Sequence, residues 1–346
     1  MDWRINRADG NAQKGQKTKM QDLFGRELNY VRISVTDRCN YRCRYCMPKS
    51  GVKRIPHEDV LTYEEIFFLM EILQELGVKK IRFTGGEPLV RKGMLPFLEK
   101  ACAFFPQLSI CLTTNGSTLS QYALPLAQMR LSSINISLDT LNDSKFSYMT
   151  RGAPLSTVLN GINELCSEVR FEMGTQIKIN TVLLRGFNDD AAEDLIEYAK
   201  SQGATLRFIE FMPLDKTVWS EESFVPFAEV LKKLPETECW QKEEQGTERA
   251  SSGPARYYVH SFSGQRIGVI SAVSQHFCAS CNRLRITSTG EVRACLFNNA
   301  QVSLLGALRA HDTEKVREGL LVAAALKPEI GMNLCRDQGH MYKIGG

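Results

Sequence analysis

The stretch "YVRISVTDRCNYRCRYCMP", residues 30–48, joins a strand-like run to three closely spaced cysteines. The run Tyr30–Thr36 is rich in β-branched and aromatic residues, and Cys39, Cys43 and Cys46 follow it on a loop. Three thiols on one loop could staple a turn, hold zinc, or bind a metal group that takes three protein ligands. No histidine is close, and the next cysteine, Cys102, is far along the chain, so structural zinc is the less natural interpretation.

Beyond this loop, strand-like and helix-like runs alternate as far as residue 211. The strand candidates are Tyr30–Thr36, Lys79–Thr84, Leu108–Thr113, Ser133–Leu138, Ile177–Leu183 and Thr205–Phe211. The segment "TYEEIFFLMEILQELG" predicts a helix, because Thr62 and Glu65 match a capping box and Gly77 a stop. Further helices are expected over Thr157–Val169 and Ala191–Gln202. Six β/α units in series predict an α/β fold with a parallel sheet, either doubly wound or curled into a partial barrel.

The composition is that of an ordinary globular protein, with 346 residues, 43% apolar residues and a net charge of +4. That charge is too small to indicate nucleic acid as a partner, and no apolar run approaches the length of a membrane span. The N-terminal segment lacks the apolar centre of a secretory signal, so we expect a cytoplasmic protein whose eleven cysteines are reduced or bind metal.

The chain changes character after residue 211. A polar segment, "QKEEQGTERASSGPAR" at 241–256, precedes two short strand-like pieces and a second cysteine group, Cys278, Cys281 and Cys295. Structural zinc is an open alternative for this group. The candidates for a fourth zinc ligand are His276, Cys239 and Cys335. We expect a polar, mobile N-terminal tail over 1–26, a first domain over 27–215 and a second over 216–346.

The x3-x2 spacing of the first three cysteines resembles the radical S-adenosylmethionine superfamily, in which three thiolates hold a 4Fe–4S cluster with one open iron. The motif "TGGEPL", residues 84–89, fits the same superfamily. Further motifs occur in matching order, and together they resemble the GTP 3′,8-cyclase family over about residues 28–346. These are "KIRFTGGEPL", "TTNG", "INISLDTL", "IKINTVLLRGFNDD", "LRFIEFMP", "HFCASCNRLRITSTG" and the terminal "IGG".

This resemblance implies a lyase of molybdenum-cofactor biosynthesis with two 4Fe–4S clusters and S-adenosylmethionine as cofactor. The first cluster would be held by Cys39, Cys43 and Cys46 and the second by Cys278, Cys281 and Cys295. It implies a partial (β/α)6 barrel whose open side is closed by a smaller C-terminal α+β domain carrying the second cluster. A 5′-deoxyadenosyl radical would remove the ribose 3′ hydrogen of GTP, and the new radical would attack carbon 8 of guanine, giving 3′,8-cyclo-7,8-dihydro-GTP after reduction.

Cations at unexpected positions point independently to an anionic substrate. Buried parallel strands should be nearly continuous apolar runs, yet Arg32, Arg82, Lys178 and Arg207 interrupt four of them. One such charge is usually a rim position, but four unpaired buried charges would be costly. If the sheet curls, all four can face one lumen that a polyanion would neutralise. Arginine forks suit phosphate oxygens geometrically.

The resemblance also assigns site residues. The residues implied to contact GTP are Arg32, Arg82, Thr113, Lys178, Arg207, Arg283, Leu284 and Arg285. Those implied to line the S-adenosylmethionine site are Tyr45, Gly86, Ser137 and Met212. The residues implied to take part in catalysis are Arg283, Arg285, Gly345 and Gly346, the last two because family members share a C-terminal double glycine.

Several expectations concern partners and alternatives. The resemblance implies an electron donor of unknown identity and transfer of the product to cyclic pyranopterin monophosphate synthase. A homodimer is possible, whereas neither nucleic acid nor membrane is expected. The nearer alternative is another radical S-adenosylmethionine enzyme with an auxiliary cluster, such as a peptide-modifying one. The more distant alternative is a non-catalytic zinc protein that binds RNA or a partner.

Overall fold

A computed structural model describes residues 19–52, 55–171, 174–243 and 253–331 of the chain. The predicted terminal glycines, Gly345 and Gly346, and the zinc-ligand candidate Cys335 lie outside these ranges. None of the helices in the described ranges combines the length and apolar character that crossing a membrane requires.

The six predicted strands are all present and begin or end within two residues of the expected positions. Their bounds are β1 Tyr30–Ser34, β2 Lys80–Thr84, β3 Ser109–Thr114, β4 Ser133–Ser137, β5 Gln176–Leu183 and β6 Thr205–Glu210. The helices between them are α1 Tyr63–Glu75, α2 Met94–Phe104, α3 Leu119–Gln128, α4 Asp143–Thr150, α5 Leu155–Phe171 and α6 Ala192–Ser201. Each strand from β1 to β6 pairs in parallel with the next, as the β/α series predicts.

Helix α1 begins as its sequence predicts. The Thr62 hydroxyl accepts a hydrogen bond from the Glu65 amide at 3.1 Å, and the Glu65 carboxylate accepts one from the Thr62 amide at 2.7 Å. This capping box satisfies two amides that a helix start leaves without intrahelical partners. The face of α1 that carries Ile66, Leu69 and Leu73 is buried in the main hydrophobic core.

The remainder of the chain extends the same sheet. Its elements are α7 Phe227–Lys233, β7 Trp240–Lys242, β8 Arg256–His260, β9 Arg266–Ile270, β10 Arg283–Ile286, β11 Glu291–Arg293, β12 Gln301–Ser303, α8 Leu305–Arg309 and α9 Thr313–Ala325. The strand order is β12-β11-β10-β1-β2-β3-β4-β5-β6-β9-β8-β7. Strand β10 pairs in parallel with β1, and β9 pairs in parallel with β6. The sheet therefore continues beyond the expected boundary near residue 215, and the C-terminal region flanks the first six strands on both sides.

The sheet is curled, because Arg32 on β1, Asn180 on β5 and Ile209 on β6 line one cavity. In a flat sheet, β2 and β6 would lie roughly 19 Å apart, since four spacings of about 4.8 Å separate them. Burial lowers the pKa of Arg207 on β6, Tyr257 opposes that shift, and the charge of Arg82 on β2 adds to it. Alternate residues of β1 show the two faces of the curl: Val31 and Ile33 join the core, and Arg32 points to the concave side.

The N-terminal tail ends earlier than residue 26, which corrects the expected boundary. Met20 is fully buried in the core, and its amide donates to the carbonyl of Leu76 at 3.1 Å. The buried carboxylate of Asp22 forms an ion pair with Arg26 at 2.5 Å. The sequence is polar on average here, but a single apolar residue and one paired charge are enough to anchor the segment.

The capping box gives a test of the fold. Thr62→Ala should lower the free energy of unfolding by about 1 kcal/mol, because the Glu65 amide loses its hydrogen-bond acceptor at the start of α1. Urea unfolding followed by circular dichroism measures the change. The matched control is Ser156→Ala at an exposed position of α5, which should change stability by less than about 0.5 kcal/mol. Equal effects in both variants would contradict the structural role of the cap.

Candidate active site

A cavity of about 250 Å³ lies at the carboxyl ends of the parallel strands. Active sites of barrel enzymes form at this end, because the loops after the strands converge there. Eleven of the residues predicted for the site line the cavity: Arg32, Cys39, Cys43, Tyr45, Cys46, Gly86, Thr113, Ser137, Met212, Arg283 and Arg285. The structure thus brings the first cysteine group, the expected S-adenosylmethionine residues and part of the cation set to one space.

The loop with the first cysteine group is held by backbone hydrogen bonds and by an arginine. The Cys46 and Met47 amides both donate to the Cys43 carbonyl at 2.9 Å. The Arg151 guanidinium donates to the carbonyls of Arg42 and Met47. Burial raises the pKa of the Cys43 thiol well above its usual value, and the neighbouring Cys46 adds to this shift. A bound cation would reverse the shift, because coordination favours thiolates.

The glycine pair after β2 allows close approach of two backbones. Gly85 has a φ of 152°, a conformation that side chains rarely adopt. A Cβ atom at Gly86 would overlap the carbonyl of Arg38 in the cysteine loop. The amide of Gly86 donates to the Thr36 carbonyl at 2.8 Å, so the pair ties the β2 loop to the β1 loop.

Two buried carboxyl groups lie at the main cavity: Asp139 lines it, and Glu87 lies behind the lining residues Thr114 and Asn115. Glu87 accepts hydrogen bonds from the Thr114 hydroxyl at 2.8 Å and from the Asn115 amide at 2.6 Å, and burial raises its pKa to about 7. Asp139 accepts a hydrogen bond from the Tyr45 hydroxyl at 2.8 Å, and burial raises its pKa to about 6. Tyr45, which the sequence predicted as a site residue, is therefore fixed by Asp139, which it did not predict. Both acids lie within motifs that were recognised, Glu87 in "TGGEPL" and Asp139 in "INISLDTL", so their position after the strand was an available signal.

The second cysteine group adjoins the first across a shared wall. Cys278, Cys281 and Cys295 line a smaller cavity of about 60 Å³. Both cavities are lined by Met212, Ile270, Arg283, Arg285 and Leu296. The two cysteine groups therefore face contiguous space from opposite sides, separated by the arginine pair of β10.

The second group has features that suit a metal cluster. Burial by itself would raise the pKa of Cys281, but Arg283 and Lys327 outweigh it and lower that pKa to about 6. A thiolate is thereby available near neutral pH. A Cβ atom at Gly331 would overlap the Cys295 sulfur, so this glycine leaves room around the ligand.

The spacing of the thiols argues against a single zinc ion in either group. Ligands of a tetrahedral zinc lie about 2.3 Å from the ion, so their sulfurs are roughly 4 Å apart. In the described ranges, only Glu236, Cys239 and His260 bring three possible ligand atoms within 4.8 Å of one another. Cys239 belongs to that separate group, so it is unavailable as a fourth ligand of the second cysteine group.

The small group around His260 is satisfied without a metal. Its Nε2 lies 2.8 Å from a Glu236 carboxylate oxygen, and its Nδ1 accepts a hydrogen bond from the Ser263 amide at 3.2 Å. A metal-bound histidine would normally donate from its other ring nitrogen, whereas this Nδ1 accepts. The arrangement fits a structural histidine.

A cationic layer lies deeper in the curl than the cavity. Arg82, Lys178 and Arg207 are 2%, 8% and 7% exposed. Burial lowers the pKa of Lys178 to about 7, and the charges of Arg207, Lys80 and Arg82 add to the effect. The sequence reasoning missed Lys80, although it precedes Arg82 by two residues and therefore shares its face of β2. These charges repel one another, so an anion bound nearby would be stabilised.

Arg82 is held by the protein itself. Its guanidinium donates to the Tyr30 hydroxyl at 3.0 Å, the Leu112 carbonyl at 2.7 Å and the Ser133 hydroxyl at 2.9 Å. Burial would raise the pKa of Tyr30, yet Arg82 and Arg32 help to lower it to about 8. Arg82 thus shapes the lumen wall besides contributing charge to it.

Two further residues predicted to contact GTP, Arg207 and Leu284, do not line the main cavity. Arg207 donates twice to the Asn180 side-chain oxygen, at 2.9 and 2.7 Å. Asn180, which the sequence reasoning missed, lines the main cavity, whereas Arg207 lies behind it. Leu284 is fully buried in the hydrophobic core, so only its backbone could contact a substrate.

Comparison with known proteins follows the same division of the chain. Residues 33–199 match the radical SAM superfamily model, and residues 204–332 match the model described as Molybdenum Cofactor Synthesis C. The GTP 3′,8-cyclase of Peptoclostridium acidaminophilum is 43% identical over 338 residues, which cover 95% of this chain and 99% of that protein. The GTP 3′,8-cyclase of Geobacter sulfurreducens is 40% identical over 329 residues, covering 94% of this chain and 99% of that protein.

Solved structures share the fold at low sequence identity. The crystal structure of SuiB from Streptococcus suis has a TM-score of 0.58 at 13% identity and covers 91% of this chain and 73% of SuiB. The structure of anSMEcpe with bound AdoMet has a TM-score of 0.55 at 16% identity and covers 91% of this chain and 89% of that one.

The two GTP 3′,8-cyclases are at least 40% identical to this chain over nearly its whole length. The chain therefore belongs to the GTP 3′,8-cyclase family of the radical S-adenosylmethionine superfamily.

Proposed function

We propose that this chain is a lyase that cyclises GTP to 3′,8-cyclo-7,8-dihydro-GTP, the first step of molybdenum-cofactor biosynthesis. The observation that carries the proposal is the pair of cysteine groups that face contiguous cavities on either side of Arg283 and Arg285. The named relatives of similar length support the same activity. The buried cationic layer also favours this activity over a peptide-modifying one, because a peptide carries no triphosphate for the cations to bind.

The residues present fit two 4Fe–4S clusters. Cys39, Cys43 and Cys46 would hold the first cluster, together with S-adenosylmethionine at its open iron. Cys278, Cys281 and Cys295 would hold the second. When bound, these groups supply electron transfer and radical generation, which protein side chains cannot provide.

The chain contributes binding, orientation and exclusion of water. Tyr45, Gly86, Ser137 and Met212 would contact S-adenosylmethionine, since all four line the larger cavity. Tyr45 is held by Asp139. A radical intermediate reacts with whatever is near it, so the cavity would protect the reaction by limiting contact with solvent.

The cationic residues would bind the GTP triphosphate and orient its ribose. Arg32, Thr113, Arg283 and Arg285 line the cavity and can contact the substrate directly. The deeper cations, Arg82, Lys178 and Arg207, would attract the phosphates from within the curl. The backbone of Leu284 would contribute between the two arginines of β10.

The wider setting of the reaction is also part of the proposal. We place the end of the barrel domain at residue 215, the C-terminal domain at residues 216–346, and the protein in the cytoplasm. There the ten described cysteines would stay reduced, and none of these ten forms a disulfide in the structure. An electron donor must supply the reductive steps, and cyclic pyranopterin monophosphate synthase would receive the product. A homodimer is compatible with this scheme.

The two cysteine groups should be separable by mutation. Replacing Cys39, Cys43 and Cys46 by alanine should remove about half of the iron and abolish cleavage of S-adenosylmethionine. Replacing Cys278, Cys281 and Cys295 should leave S-adenosylmethionine binding largely intact while eliminating cyclised product. Iron analysis and mass analysis of anaerobic reactions with GTP and dithionite provide the measurements. Native product yield from either variant would refute that group's assignment.

Arg285 should affect GTP binding alone, whereas Arg82 should affect both GTP binding and stability. Arg285→Ala should weaken GTP binding by roughly 10- to 100-fold, the equivalent of losing about 1.5–3 kcal/mol of charge-assisted hydrogen bonding. Arg82→Ala should weaken binding and also lower the melting temperature, because its guanidinium holds Tyr30, Leu112 and Ser133. Lys200→Ala, an exposed charge on α6, is the control. GTP affinity like that of the control in both arginine variants would rule out their substrate role.

The terminal glycines lie outside the described residues, and their role stays a prediction. A tail without side chains can enter a narrow channel and present amides and a carboxylate beside a charged substrate. Deleting Gly345 and Gly346 should leave iron content and the binding of both small molecules near normal, yet nearly eliminate cyclised product. The comparison is product yield per bound cluster in full-length and truncated protein, and equal yields would make the tail dispensable.

A further inference from the structure

Lys327 occupies an unusual position two residues after the end of α9. It is 3% exposed, and its ammonium nitrogen donates to the carbonyl of Arg283 at 2.8 Å and to that of Ala294 at 2.8 Å. Arg283 lies two residues after Cys281, and Ala294 immediately precedes Cys295. One side chain therefore joins the two backbone segments that carry two of the three cysteines of the second group.

The same ammonium lies beside the thiols themselves. Lys327 lines the smaller cavity together with Cys278, Cys281 and Cys295. It is close enough to Cys281 for a side-chain hydrogen bond, and Cys295 also interacts with its charge. A lysine has three donors, so two carbonyls and one sulfur account for all of them.

Arg26 offers a contrast on the outer side of this region. Its guanidinium donates to the carbonyl of Cys278 at 2.6 Å and to that of Pro328 at 2.7 Å. The charge of Arg26 is balanced by Asp22 at 2.5 Å. No carboxylate in the described ranges forms such a pair with Lys327, whose nearest acidic groups are the cysteines. Arg26 thus fastens the segment with a charge that is paired to a carboxylate, whereas the positive charge of Lys327 is directed at the cysteines.

We propose that Lys327 is a positioning residue for the second cluster, which fixes the backbone around Cys281 and Cys295 and raises the cluster's reduction potential. The inference rests on the proposed function, because it assumes a 4Fe–4S cluster on these cysteines. Reduction by one electron makes a cluster with three thiolate ligands more negative. A buried cation favours that product, since electrostatic interactions are strong where water is excluded.

The effect is measurable without GTP or S-adenosylmethionine. In the full-length chain with Cys39, Cys43 and Cys46 replaced by alanine, only the second cluster remains. Its one-electron reduction by dithionite is followed by electron paramagnetic resonance at controlled potentials. Lys327→Met removes the charge, Lys327→Arg keeps it, and Lys315→Met removes an exposed charge from α9 as the matched control.

We expect Lys327→Met to keep its iron but to show at least a tenfold lower ratio of reduced to oxidised cluster at a fixed potential, equivalent to 59 mV for one electron. Lys327→Arg should recover most of this shift, and Lys315→Met should match the parent. A second outcome would also support the proposal. If Lys327→Met loses its iron while Lys327→Arg keeps both its iron and its melting temperature, the positive charge at position 327 is needed to hold the cluster.

Three results would overturn the inference. The first is a Lys327→Met midpoint equal to that of the parent. The second is loss of iron in both Lys327 variants, which would make the exact side chain a packing element and not a source of charge. The third is a parent that binds no iron at the second group, which would refute the cluster assignment of the proposed function as well. Only this third result touches the function itself, so the two failures are distinguishable.

Discussion

Mutual repulsion of cations inside the curled sheet is the constraint on which the site depends. Arg82, Lys178 and Arg207 are buried close enough to influence one another's protonation. Such charges are costly in a protein interior unless hydrogen bonds and an anion offset them. The protein supplies part of the compensation through Tyr30. Burial would raise the pKa of Tyr30, but the neighbouring cations outweigh burial and lower it to about 8. A bound polyanion would add to this compensation, which favours a polyanionic substrate at this site.

This constraint explains why charged and apolar residues alternate along strands of a parallel sheet. A parallel sheet covered on both faces would be apolar throughout, but the concave face of this sheet carries charges while its convex face packs against helices. On β1, Val31 and Ile33 pack into the core while Arg32 faces the cavity. The hydrophobic pattern and the chemistry therefore occupy opposite sides of the same strands.

Much of the fold follows from local patterns that the sequence displays. Helix α1 begins at a capping box whose two residues are three positions apart in the sequence, and β1 to β6 are short, largely apolar runs with clear boundaries. The cysteine spacing and the glycine pair were equally local. Such features depend on nearby residues alone, so they can be recognised before the structure is known.

Other features depend on contacts between distant segments and could not be predicted. Nothing in "QDLFGR" indicates that Asp22 and Arg26 pair beside Cys278, because the contact links residues from opposite ends of the chain. Lys327 is similarly an ordinary lysine in sequence and acquires its role only when α9 brings it to β10. The parallel pairing of β10 with β1 was also missed, since strand order is not encoded in local periodicity.

That pairing has a consequence for how the protein is made. Strand β1 begins at Tyr30, and its neighbour β10 begins at Arg283, so one edge of β1 has no partner until most of the chain has left the ribosome. Strand β6 likewise waits for β9. Contacts this distant in sequence slow folding, and they expose strand edges in the meantime. The second cysteine group flanks β10, so it can join the site only after β1 has gained this late partner.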